Sequence, residues 1–203
     1  MARWENTIQT NQEVHRLKRE AVLREAGRLF SRNGYHNTSL DEVASTLGVS
    51  KGTLYNYVTD KQDILFSFHQ MALEIARRVI AEAREKGENG LEKIKLATGN
   101  YIREVGEELG GYGVIAEISA LKPEDRKVII EMRSEIERAY SDFMQEGAKD
   151  GSLSAVDPKM ALFTFFGAVQ LVPNWFSPEG NLSPAEVADA ITDILIYGMA
   201  TPS

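Results

Sequence analysis

The chain has 203 residues, no cysteine and a net charge of −7, which leaves length for a sizeable core and two structural units. Without cysteine there are no disulfides, thiolate zinc sites or cysteine nucleophiles, a composition that fits a reducing cytosol. The most apolar window, residues 160–172, is too short to span a bilayer, and the polar start MARWENTIQTNQEVHRLKRE is unlike a signal peptide, so a soluble cytoplasmic protein with no membrane contact is expected.

Val22, Ala26, Leu29 and Phe30 fall at i, i+4, i+7 and i+8, the stripe of an amphipathic helix from about Val14 to Arg32 that Asn33-Gly34 stops. Ser39 caps the next helix, Glu42 closes a capping box, and Val43, Ala44 and Leu47 form the apolar face. Gly48 ends that helix, because the position after a helix often needs a left-handed backbone that a Cβ resists. Ser50 then caps a second short helix, and the unit Ser39–Lys61 reads as a helix-turn-helix. Thr59 and Gln62 make another capping box, opening a helix to about Lys86 with the stripe Ile64, Phe68, Met71, Ile75 and Val79. No Gly/Ser linker separates this helix from Tyr57, so its motion should pass stiffly to the head.

Gly-Glu-Asn-Gly at 87–90 breaks the pattern, and Leu91, Ile94, Thr98, Tyr101, Val105 and Leu109 give the next stripe before Gly110-Gly111. A short apolar segment, 114–121, leads to Pro123 near a helix start, after which Ile129, Met132, Ile136, Tyr140 and Phe143 line one face as far as Asp150-Gly151. Asp157-Pro158 reads as N-cap plus first turn of a helix to Val172, and Ser183-Pro184-Ala185-Glu186 opens a last helix to Met199. About nine helices and no period-2 pattern predict an all-α fold. The 158–172 helix is apolar around most of its circumference, and small residues, Gly167, Ala168 and Gly198, suit close helix approach. A homodimer through the last two helices, as an isologous four-helix contact, is expected; a buried helix in a monomer core is the alternative.

The second helix of the motif turns Lys51, Thr53, Tyr55, Asn56 and Tyr57 outward, offering charge, hydroxyls, an amide and aromatic faces to a groove. Leu54 and Val58 read as core, Tyr55 either braces the head or touches DNA, and Asn56 either reads an adenine or stays solvated. The acidic total opposes phosphate binding, but its distribution does not: residues 1–61 hold nine Lys/Arg against seven Asp/Glu, the rest fourteen against twenty-three. An acidic body orients such a head toward DNA.

Val49-Ser50-Lys51-Gly52-Thr53-Leu54-Tyr55 and the run to Leu65, preceded by Phe30, Gly34, Tyr35, Thr38, Ser39, Val43 and Ala44, resemble the TetR family of transcriptional regulators. The all-helical layout of about 200 residues resembles that family over the whole chain; Asn56, Tyr57 and Val58 depart from its usual Tyr, His and Phe. The resemblance implies an N-terminal helix-turn-helix DNA-binding domain at 1–60 and an effector-binding and dimerisation domain at 61–203. It implies that Ser50, Lys51, Gly52 and Thr53 start the recognition helix in the major groove of double-stranded operator DNA. Tyr55, Asn56 and Tyr57 would meet backbone or base edges, and Lys61 with Thr38 or Ser39 would hold phosphates.

The resemblance also implies a small apolar effector in the body. Tyr101, Tyr112, Phe143, Phe163, Phe166 and Trp175 either line its cavity or are plain core. The segment Pro173–Ser183 is similar to one in TetR regulators of fatty-acid and steroid catabolism, several of which respond to acyl-CoA thioesters. His15, His36 and His69 have no metal-ligand spacing, and GxSxG, P-loop and GxGxxG runs are missing, so neither an enzyme nor a metal or cofactor is expected. The expected function is a dimeric repressor released by its effector; the alternative is a small-molecule-binding or interaction module without DNA binding.

Overall fold

The computed structural model describes residues 2–108, 117–154, 157–176 and 180–197. Eight α-helices follow one another: α1 (Ala2–Asn33), α2 (Leu40–Thr46), α3 (Lys51–Leu54), α4 (Lys61–Lys86), α5 (Gly90–Glu108), α6 (Pro123–Asp150), α7 (Pro158–Trp175) and α8 (Pro184–Tyr197). A 3₁₀ turn at Ile118–Ala120 lies in the short apolar segment ahead of Pro123. Tyr112, Leu109, Gly198 and Met199 lie outside the described residues.

Capping chemistry sets most helix starts. Ser39 Oγ accepts the Glu42 N–H at 3.2 Å while the Glu42 carboxylate accepts the Ser39 N–H at 2.6 Å, closing the expected box. Asp157 accepts from the Lys159 and Met160 N–H groups at 2.8 and 3.2 Å, and Ser183 and Glu186 exchange bonds as Ser39 and Glu42 do. Two expectations are corrected. The cap of α4 is Asp60, which accepts the Asp63 N–H at 2.7 Å, while Thr59 donates its own N–H to Asp63. The first helix begins at Ala2 rather than near Val14, since no Gly or Pro interrupts residues 2–26 and the Arg16 guanidinium pairs with Glu13 and Glu20 along it.

The body packs around α5, which lies against α4, α6 and α8. Ile94, Ala97, Ile102 and Val105 of α5 are fully buried with Ile64, Leu65, Phe68 and Val79 of α4 and Ile129 of α6. Each large side chain so buried contributes about 1.5–3 kcal/mol of transfer free energy. The start of α5 is pinned by the end of α6: Gly90 N–H donates to Asp150 at 2.9 Å and Leu91 N–H to Ser152 at 3.2 Å. Backbones touch there, and a Cβ on Gly90 would fall 2.1 Å from the Gly147 nitrogen. Among the described residues no helix is long and apolar enough to cross a membrane.

Candidate nucleic-acid interface and body cavity

In the head, Val22, Ala26 and Phe30 of α1 close over Val43, Ala44, Leu54 and Val58, so α2 and α3 are held by one small core. Gly48 makes the turn between them with φ of 66°, the left-handed value expected of it. Ser50 caps α3, accepting the Thr53 N–H at 3.1 Å and sharing a hydroxyl bond with Thr53 at 2.8 Å. Lys51 reaches back to Asp41 of α2 at 2.8 Å, and this carboxylate, by hydrogen bond and charge, raises the lysine's pKa. Gly52 faces open space: apart from the Ser50 hydroxyl at 3.9 Å, nothing stands near a Cβ placed there. Any close approach at Gly52 therefore comes from outside the chain.

Lys51, Gly52, Tyr55 (46 % exposed) and Asn56 form an open surface, with Ser39 and Ser50 beside it. Three residues expected at this surface behave differently. Thr38 is 2 % exposed, and its hydroxyl bonds the Gly34 and Leu29 carbonyls at 3.0 and 3.3 Å, which leaves none of it for a phosphate. Tyr57 packs against the core, its ring 5.0 Å from that of His15. Lys61 sits 4.3 Å over the Tyr35 ring and 5.6 Å over Phe30, and partial burial lowers its pKa although Glu42 opposes that.

The head is tied to both long helices. Arg19 of α1 donates to the Tyr57 carbonyl, to Asp63 at 2.8 Å and to Ser67 at 2.7 Å, while His15 donates to the Asn56 carbonyl at 3.0 Å. Burial raises the Asp63 pKa, but bonds from Arg19 and Thr59 outweigh it and hold the carboxyl below its usual range. On the other side, Gln62 donates to the Ala120 carbonyl at 2.7 Å and accepts the Lys122 N–H at 3.2 Å, and Lys122 pairs with Asp60 at 3.2 Å. Nothing in the order of residues announced this clamp, whose partners are about 60 positions apart.

A cavity of about 150 Å³ lies in the body between α4, α5, α6 and α7. Leu73, Ala76, Val79 and Ile80 of α4 form one wall, opposite Tyr101, Ile136, Tyr140, Phe163, Phe166 and Val169. Of the expected aromatic lining, Tyr101, Phe163 and Phe166 are in place. Phe143 is instead core, packed with its ring 6.2 Å from that of Tyr140, and Trp175 is 53 % exposed and away from the cavity. Burial pushes the Tyr101 hydroxyl up to about 12, and Arg133, also on the wall, opposes it. A larger groove of about 530 Å³ between α1 and α4 is lined by Arg16, Arg19, Glu20, Arg24, Glu74 and Arg78 and open to solvent. Arg16, Arg19 and Arg78 are engaged with Glu13, Glu20, Asp63 and Glu104, so most of the groove's charge is held in a solvated seam.

A capped helix-turn-helix with an open polar surface, joined without a linker to a helical body that holds a largely apolar cavity, is the architecture of a helix-turn-helix DNA-binding regulator. The family model described as "Bacterial regulatory proteins, tetR family" matches residues 22–68, and that described as "Tetracyclin repressor-like, C-terminal domain" matches residues 87–199. The chain belongs to the TetR family of transcriptional regulators, which bind DNA and are not enzymes. It is 24% identical over 188 residues to the fatty acid metabolism regulator protein of Bacillus subtilis (strain 168), covering 88% of this chain and 93% of the relative. It is 23% identical over 191 residues to the HTH-type transcriptional repressor KstR2 of Rhodococcus jostii (strain RHA1), covering 91% and 92%. Among solved structures, the TetR family regulator PfmR of Thermus thermophilus is similar at 27% identity with a TM-score of 0.73, over 87% of this chain and 97% of that one.

Proposed function

We propose that this protein is a homodimeric, cytoplasmic repressor whose heads bind a pseudo-palindromic operator and are withdrawn when a small lipid-derived effector fills the body cavity. One observation carries the reading: α4 runs unbroken from Lys61 and Gln62 at the head to Leu73, Ala76, Val79 and Ile80 on the cavity wall. At about 1.5 Å per residue the helix is a lever of roughly 39 Å. A ligand that displaces its middle re-aims the end that carries the helix-turn-helix. Effector binding and DNA binding then weaken each other by the same factor, as linkage requires.

The dimer is supported by what α7 and α8 leave uncovered. Phe163 is 61 % and Ile194 74 % exposed, and Met160, Leu171 and Tyr197 on the same two helices are exposed as well. Gly167 has nothing within 4 Å of a Cβ, which is room for a second helix. Pairing this face with its copy sets two α3 helices against half-sites about 34 Å apart. The effector class is supported by the apolar cavity walls and by the relative named for fatty acid metabolism.

The test is operator binding by the Lys51→Ala variant on DNA from upstream of the protein's own coding region. The expected result is weaker binding with a salt slope reduced by about 0.9 for each phosphate that is no longer neutralised. Unchanged affinity and slope would remove the head assignment.

A further inference from the structure

Arg133 is the least explained charge in the body. It lines the cavity from α6 amid Leu73, Ala76, Val79, Ile136 and Phe166, and no carboxylate among the described residues comes within 4 Å of its guanidinium, nor does it make a hydrogen bond there. The arginines of α4 are engaged at the surface: Arg77 pairs with Glu135 at 2.6 Å, Arg78 with Glu104 at 2.5 Å and Arg84 with Asp142 at 3.9 Å. Glu137, one turn along α6, shares the cavity lining and attracts Arg133 at longer range, but its side chain is exposed and makes no ion pair with it.

A guanidinium stays charged and presents five donors in a planar fork, so leaving it half-buried without an acceptor is costly unless a ligand completes it. Burial lowers its pKa, the sign of a charge short of solvent and of partners. His69 adds a second unfulfilled group. It is 1 % exposed, its Nε2 has no hydrogen-bond partner, and it lies within the field of Arg133. Tyr101, also in that field, brings a hydroxyl to the same wall.

Building on the reading of the cavity as the effector site, we infer that its ligand is a short apolar acid, its free carboxylate held by Arg133 and its chain lying among Val79, Ile136, Phe166 and Val169. A fork of parallel N–H donors matches a carboxylate and gains little from an alcohol or a neutral ester carbonyl. Size agrees: a cavity near 150 Å³ takes a guest about as large as benzene, so the chain is short and a coenzyme A moiety stays outside. A thioester places a neutral carbonyl where the acid places its charge, and so is the poorer partner for Arg133.

The experiment measures binding of hexanoate, 1-hexanol and hexanoyl-CoA by calorimetry to the full chain and to Arg133→Met, with release of fluorescent upstream DNA followed in parallel. Methionine keeps the volume and removes the charge, and 1-hexanol binding reports that the cavity is intact. Hexanoate is expected to bind at least about tenfold tighter than 1-hexanol, and Arg133→Met to erase that advantage while leaving 1-hexanol unchanged. The inference is overturned if 1-hexanol or hexanoyl-CoA matches hexanoate, if Arg133→Met binds hexanoate as well as the parent does, or if nothing binds the cavity. Arg133-dependent hexanoate binding that leaves the DNA complex intact upholds the carboxylate site and overturns the effector reading. Release by 1-hexanol or hexanoyl-CoA in both proteins does the reverse.

Discussion

Gln62 grips the main chain at Lys122: its amide oxygen accepts the Lys122 N–H at 3.2 Å while its amide nitrogen donates to the neighbouring Ala120 carbonyl at 2.7 Å. Gln62 stands in the first turn of α4 and Lys122 is the N-cap of α6, so one side chain joins the helix that leaves the head to the helix that carries Arg133. The tyrosine hydroxyl of Tyr35 receives the same amide nitrogen at 3.3 Å, extending the clamp into the head.

Gln62→Ala removes this clamp and costs about 1–3 kcal/mol, for hydrogen bonds to Lys122, Ala120 and Tyr35 at roughly 1 kcal/mol each. The Lys122 amide then exchanges with deuterium faster, by about tenfold for each 1.4 kcal/mol of lost protection. Exchange at Lys122 as slow as in the parent would show that the clamp does not hold the junction.

Gly52→Leu separates fold from recognition. A Cβ at Gly52 meets only the Ser50 hydroxyl at an ordinary 3.9 Å, and the residue is exposed in a helix that leucine suits better than glycine, so unfolding free energies stay within about 1 kcal/mol. Against a groove the same side chain forces α3 away, and operator affinity drops about tenfold or more. Retained operator binding would place some other surface against DNA.

Gly90→Ala attacks the opposite end of the molecule. Its Cβ would stand 2.1 Å from the Gly147 nitrogen and 2.3 Å from the Phe143 carbonyl oxygen, both backbone atoms that cannot swing aside. Parting α5 from α6 costs about 1–3 kcal/mol or more and also strains the Gly90 bond to Asp150. Thermal unfolding of the variant, compared with the neutral surface change Lys95→Ala, reads the loss.

His69 makes stability depend on pH. Burial, reinforced by Arg133, lowers its pKa from 6.5 to about 3, so the folded protein keeps the ring neutral while the unfolded chain protonates it. Stability is whole above pH 6.5 and falls as pH drops toward 3, by up to about 1.4 kcal/mol per pH unit; below 3 both states carry the proton and the dependence ends. His69→Leu removes this share, so urea midpoints of parent and variant diverge between about pH 7.5 and 5. Parallel loss in the two proteins would mean that His69 finds a way to charge inside the fold.

How much was legible in the order of residues depends on reach. The boxes at Ser39/Glu42 and Ser183/Glu186, the Ser50 and Asp157 caps and the left-handed Gly48 all join groups within four positions, so they follow from spacing alone. The α4 start differs by one residue from its expected cap because Asp60 accepts the Asp63 N–H while Thr59 spends its own N–H and hydroxyl on the Asp63 carboxylate. The exposed positions of Lys51, Tyr55 and Asn56 followed from spacing as well. The inward placement of Thr38 and Tyr57 did not, since the Leu29 carbonyl and the His15 ring that hold them come from α1.

By itself, then, the sequence determined the helices, the helix-turn-helix and the family, because periodicity, caps and turn glycines act over a few residues and leave a pattern in the text of the chain. Only the tertiary structure decided which aromatics face the cavity, which are core and which lie outside, and that no carboxylate among the described residues pairs with Arg133. It also decided that Gln62 binds the start of α6 and that Asp150 and Ser152 hold the start of α5. Those choices turn on how α4 to α8 lie against one another, and an aromatic or an arginine at helical spacing has the same signature whichever neighbour it meets.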